Sequence, residues 1–201
     1  MKSVEFCGHV LEDGKRYPAP GKLLALQKWE LPQVVTQLRG FLGLANYFSE
    51  YVPNFANTAG LLTSKLQLKR EDGKKGSQVL LKWQPHEIKA FEDLKKALAQ
   101  KLQLFQIQVD KPFVMEADAS TYAVGAVLKQ QIEGEWRPVA FFSRKLTPGQ
   151  RKWTPREQET YAIVSSLRKW SSWIGYMWIL LQGLRVGGQG GMKLLASLTL
   201  R

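Results

Sequence analysis

The sequence predicts an α+β fold: a small helical module, then a three-stranded antiparallel meander closed by one helix. Three observations predict it. Apolar residues recur with helical spacing as far as about residue 103, the period changes to two at Lys111, and Thr154-Pro155-Arg156-Glu157 opens a strongly signalled helix. With 201 residues and 44% hydrophobic content the chain can bury a real core, which excludes a wholly disordered protein.

The elements follow in order. Val4 to Tyr17 has short apolar pieces broken by Gly8 and by Asp13-Gly14, which predicts a strand pair with a tight turn over residues 1–17. Pro18 and Pro20 punctuate, and Leu23, Leu24, Ala25 and Leu26 predict a short helix over 21–29. Residues 33–51 predict a better one. Val34, Val35, Leu38, Phe41, Leu42, Ala45 and Phe48 share a face, and Pro32 stands where a first helical turn tolerates proline. A third, smaller helix is expected over 56–68. The run Lys69 to Ser77 (KREDGKKGS) is the best domain boundary, dividing a helical module over 18–76 from a second domain over 77–175. Beyond it, Ile88, Phe91, Leu94, Leu98 and Leu102 stripe an amphipathic helix over 85–103.

From Lys111 the alternation of Phe113, Met115 and Ala117 with Val114, Glu116 and Asp118 marks a strand with one buried face. Residues 122–130 and 136–143 make the second and third strands, with short loops between, hence a meander. The last helix has a Thr N-cap, Pro at its first position and Glu three residues after the cap, and runs to about Trp173.

Composition narrows the function classes. The balance of 29 Lys+Arg against 17 Asp+Glu, net +12, suits a polyanionic partner or, more blandly, a solvated surface. A single cysteine, Cys7, allows no intramolecular disulfide and suits a reducing compartment. Two histidines are too few for a Cys/His zinc cluster. The run Tyr176 to Leu181 is far shorter than the ~20 residues of a membrane span, and Met1 to Val10 lacks an apolar signal core. The expectation is an intracellular protein of cytoplasm or nucleus, with no membrane partner.

Two carboxylates stand in unusual places. Asp118 ends an apolar strand and is followed by small Ala119 and Ser120. With Glu157 at zero on a helical wheel, Glu159 falls near ~200°, amid Ala162, Ile163, Ser166, Leu167 and Trp170, while Glu157 lies on the opposite, cap and surface side. Asp118 and Glu159 either share a divalent metal such as Mg²⁺ or are partly exposed acids with ordinary hydrogen bonds.

Collinear motifs then carry a resemblance over roughly residues 5–175. Phe113 to Ser120 (FVMEADAS), Gly125-Ala126-Val127-Leu128, Arg137-Pro138-Val139-Ala140, Ser143 to Pro148 (SRKLTP), and Glu157-Gln158-Glu159 before Ala162-Ile163-Val164 resemble the ribonuclease H domain of gypsy-type LTR retrotransposon polyproteins. Upstream, Phe6-Cys7-Gly8-His9, Leu38 to Leu44 (LRGFLGL), Asn46-Tyr47-Phe48 and Val52-Pro53-Asn54-Phe55 resemble the thumb and connection that follow the polymerase palm in the same polyproteins. The resemblance implies the end of a palm over 1–17, thumb and connection over 18–76, and a partial ribonuclease H-like domain over 77–175. It implies Mg²⁺-dependent hydrolysis of the RNA strand of an RNA–DNA hybrid by two ions, with Asp118 and Glu159 as catalytic, metal-holding acids. Arg144, Lys145, Arg151 and Lys152 are then expected to contact nucleic acid, and the partners are a hybrid or template–primer duplex and the rest of the polyprotein.

Two departures qualify it. The palm with its paired aspartates would lie upstream of Met1, so this chain is not expected to polymerise DNA. A further strand ending in a Thr-Asp-His-like motif is also expected. Tyr176 to Leu181 is the place for that strand, but Gln182-Gly183-Leu184 stands where its aspartate belongs, and no acid follows Glu159. Residues 176–201 look like a degenerate or out-of-frame tail. The chain alone is expected to be inactive and poorly stable, and the alternative function is a non-catalytic, nucleic-acid-binding remnant.

Overall fold

The computed structural model describes residues 3–66, 79–100, 102–108, 111–174, 184–185 and 193–194. The N-terminal segment forms three strands, β1 (Val4–Phe6), β2 (His9–Glu12) and β3 (Lys15–Pro18), where one strand pair was expected. The cause is local. Cys7-Gly8 and Asp13-Gly14 each place two successive residues at positive φ, the geometry of a two-residue hairpin turn, so Gly8 reverses the chain as Gly14 does.

Three helices follow: α1 (Pro20–Gln27), α2 (Val35–Tyr47) and α3 (Phe55–Lys65). The predicted second helix ends four residues early, because a 3₁₀ turn over Ser49–Tyr51 leads into Val52-Pro53. Asn54, at φ 52°, reverses the chain into α3. The fourth helix, α4 (Pro85–Ala99), lies beyond the predicted boundary, yet Phe91, Leu94 and Leu98 are wholly buried in one core with Leu26, Leu38, Phe41 and Leu62. Lys65 joins α3 to α4 from a buried position: its Nζ lies 2.8 Å from Glu87 Oε2 and donates to Lys82 O at 2.6 Å. A two-residue strand, β4 (Leu104–Phe105), adds to β3 and returns the chain to the N-terminal sheet.

The expected meander is present. β5 (Phe113–Ala119), β6 (Ala123–Ile132) and β7 (Glu135–Lys145) pair antiparallel, with a register shift at Leu128/Lys129. The predicted helix is α5 (Pro155–Lys169), continued by the short α6 (Ser171–Ile174). Two-residue strands β8 (Leu184–Arg185) and β9 (Lys193–Leu194) complete the order β7-β6-β5-β9-β8, with β9 antiparallel to β5. The strand expected over Tyr176–Leu181 lies outside the described residues, as does the charged boundary run.

The sheet has two covered faces. On one, Phe113, Met115, Ala117, Val124, Leu128 and Phe142 pack against Ala162, Ile163 and Trp170 of the α5 region. The other carries Gly125, Ser143 and Phe141 and meets the helical module: Phe141 packs on the first core, and Ala56 N donates to Ser143 Oγ at 2.9 Å. No helix among the described residues is long and apolar enough to cross a membrane.

Candidate active site and nucleic-acid face

The two predicted carboxylates stand at different places around the sheet. Asp118 is exposed near the end of β5, directly across from Gly125 of β6. Side chains alternate along a strand, so Asp118 lies on the face opposite Ala117, which packs against α5. Its face is the one that meets the helical module. Glu159 sits half-buried in the second turn of α5, beside buried Gln158 and Ala162. Neither acid has a hydrogen-bond or ion-pair partner among the described residues.

The other acids of this region are engaged. Glu116 Oε2 accepts from Lys129 Nζ at 2.8 Å. Glu157 caps α5, its Oε2 accepting from Thr154 N at 2.7 Å and from Thr154 Oγ1 at 2.8 Å. Those two bonds, the backbone one first, hold its carboxyl below the usual range. Among the described residues, no three Asp, Glu, His or Cys side chains gather to hold a metal ion. The described acids therefore fall short of the donor set that a pair of dications requires.

The predicted basic residues divide. Arg144 is exposed, with its guanidinium over the Phe142 ring and Nη1 donating to Tyr161 Oη at 3.4 Å. This bond, then one with Gln150, lowers the pKa of the Tyr161 phenol. Arg151 and Lys152 are exposed in a 3₁₀ turn over Gln150–Lys152, which buried Gln158 ties down by donating to Gln150 O at 3.1 Å. Lys145 is half-buried and donates to Gly60 O of α3 at 3.2 Å, so it also holds the two modules together.

Beside these lies a groove that sequence patterning did not single out. Trp153 and Tyr161 meet edge to face, 5.6 Å between centroids, on the outer side of α5, with Arg156, Val164 and Arg168 around them. Thr160 and the capping carboxylate Glu157 also line this groove, and Arg144 joins it at Tyr161, a composition of rings and guanidinium groups that contacts phosphates and bases. Trp153 and Val164 are 40% and 38% exposed, and they carry the signal for this groove: a tryptophan just before the cap of α5 and a valine off its core stripe.

Comparison with known proteins fits this architecture. Residues 83–177 match the family model described as an RNase H-like domain found in reverse transcriptase. The Tf2-3 and Tf2-4 transposon polyproteins of Schizosaccharomyces pombe are each 28% identical over 175 residues, which is 87% of this chain and 12% of the polyprotein. The chain thus spans about an eighth of the length of these relatives. Among solved structures, foamy viral protease-reverse transcriptase in complex with an RNA/DNA hybrid is similar with a TM-score of 0.70 and 24% identity. That match covers 84% of this chain and 22% of the viral one. The same enzyme in complex with dsDNA gives a TM-score of 0.71 at 24% identity, over 84% of this chain and 34% of the other. At these identities the structures speak for the fold.

Proposed function

We propose that this retroelement reverse-transcriptase region, ribonuclease H-like over residues 83–177, grips an RNA–DNA hybrid and serves hydrolysis of the RNA strand within its parent polyprotein. The observation that carries the reading is the groove of Trp153, Arg156, Tyr161 and Arg168 on the outer side of α5, joined by Arg144 at Tyr161, with exposed Arg151 and Lys152 in the turn that precedes it. Exposed guanidinium and ammonium groups replace counterions along a phosphate backbone, and flat rings contact sugars and bases at little entropic cost. Lys145 adds a further cation from within the joint to α3.

The ribonuclease H-like family works with a divalent metal. Asp118 and Glu159 are the acids proposed to hold Mg²⁺ in the working enzyme, but here they stand on opposite faces of the sheet and do not converge on one ion. Further donors would have to come from the remainder of the polyprotein, since the described residues supply no third one at hand. That shortfall favours a second reading, a hybrid-binding module without catalysis of its own.

Binding and cleavage assays on a labelled RNA–DNA hybrid test both. Affinity is expected to fall steeply as salt rises from about 50 to 200 mM, and Arg144→Gln or Lys152→Gln should each reduce the logarithmic salt slope by about one. Absence of binding at low salt overturns the proposal. Mg²⁺-dependent cleavage that disappears in Asp118→Asn decides for the catalytic reading, whereas binding without cleavage decides for the second.

A further inference from the structure

Between α3 and the loop that follows Asp118 lies a cleft of about 600 Å³, distinct from the Trp153–Tyr161 groove of α5. One wall is small and apolar, made by Ala56, Gly60 and Leu61 of α3, and Leu61 is 48% exposed there. Ser64 Oγ donates to Leu61 O and Ser120 Oγ to Ala123 O, so these hydroxyls offer acceptor lone pairs, and the Asn57 amide adds its Nδ2 donors. Across from α3 stands Tyr122, an aromatic residue 63% exposed that takes no part in either core.

Two cations border the cleft. The Arg151 guanidinium lies 5.4 Å from the Tyr122 ring centroid, and its Nε donates to Leu146 O at 3.3 Å, which fixes the side chain. Lys145 uses one of its three ammonium protons on Gly60 O. No carboxylate lines the cleft among the described residues.

We propose that this cleft takes one unpaired nucleotide of a nucleic-acid strand, its base between the Gly60–Leu61 wall and Tyr122, its phosphate at Lys145 and Arg151. A nucleobase needs flat apolar contact on its faces and hydrogen-bond groups at its edge, and both are present. A duplex presents its bases stacked and paired, so only a strand that has left the duplex can insert one between the two modules. Ser120, two residues past Asp118, places the nucleotide beside the proposed cleavage site. The inference rests on the hybrid-binding reading for its biological setting but has its own test.

That test measures anisotropy of the full chain with three labelled probes: a blunt RNA–DNA hybrid, the same hybrid with a short single-stranded overhang, and a single strand alone. The expected result is about tenfold tighter binding with the overhang, the gain of one stacked base. Gly60→Leu fills the cleft. A Cβ at Gly60 meets nothing within 4 Å, and leucine favours a helix over glycine, so a circular-dichroism melt no lower than that of the unmodified chain will certify the fold. In Gly60→Leu and in Tyr122→Ala the ratio of overhang to blunt affinity should fall to about one. A ratio of one in the unmodified chain, or an undiminished ratio in Gly60→Leu, overturns the proposal. Single-strand binding that Gly60→Leu abolishes supports it even where the blunt hybrid fails to bind, an outcome that sinks only the hybrid reading.

Discussion

His9 shows how much a single residue can owe to distant parts of the chain. It stacks between Tyr47 and Tyr51, with ring centroids at 5.3 and 5.7 Å, and its Nδ1 lies 2.7 Å from Tyr51 Oη. Burial, then the Arg16 guanidinium, lowers its pKa below the ordinary 6.5. A histidine with a depressed folded pKa contributes stability while neutral, and the unfolded chain takes up the proton first. Stability should therefore hold above about pH 6.5 and decline as pH falls below it. Denaturant titrations at pH 7.5 and 5.5 will show this, and His9→Phe should flatten the difference. Gly125 is the second such residue. A side chain there would stand 2.9 Å from Asn54 Oδ1, so glycine admits the helical module to the sheet beside Asp118. Gly125→Val should cost about 1–3 kcal/mol by overpacking, and Asn54→Gly, which keeps the left-handed backbone, should recover part of it in a double-mutant cycle. Neither environment is legible locally, since His9 and Tyr51, like Gly125 and Asn54, meet only through folding.

Elements were more legible, because their signals lie within a few residues. Thr154 and Glu157 reciprocally cap α5 just as the Thr-Pro-Arg-Glu pattern predicts. Thr154→Ala should cost about 1 kcal/mol, measurable as a lower thermal midpoint. The three meander strands likewise follow from alternation, with the ends shifted by at most two residues. What the pattern missed is joining. The Lys65–Glu87 pair binds the end of α3 to the start of α4, and both side chains are largely withdrawn from water. Lys65→Met should destabilise the chain by about 3 kcal/mol, because Glu87 and the Lys82 carbonyl are left without their ammonium, whereas an exposed lysine such as Lys152 should change stability little when replaced. In the sequence both lysines look like solvated charges.

At the scale of the whole molecule, two cores are sewn together by the segment 104–108 and by the α3 face of the sheet. Leu104 is buried in the first core, Phe105 and Ile107 pack on the second, and fully buried Gln130 holds the segment through Gln108 N and O at 2.9 and 2.7 Å. A chain cut to its residues from 111 onward should therefore aggregate, since Phe141 loses its apolar partners. Light scattering of the truncated and full chains at equal concentration will test it, and a monodisperse truncated chain would refute it. The sequence by itself determined the elements and their order, the basic character and the chemically odd acids, because periodicity, capping and charge are properties of neighbouring residues. Only the tertiary structure decided that α4 belongs to the first core, that Asp118 and α5 lie on opposite faces of the sheet, and that a cleft opens between α3 and Tyr122. Those outcomes depend on which apolar faces find each other across tens of residues, a matter of packing geometry that no local pattern encodes.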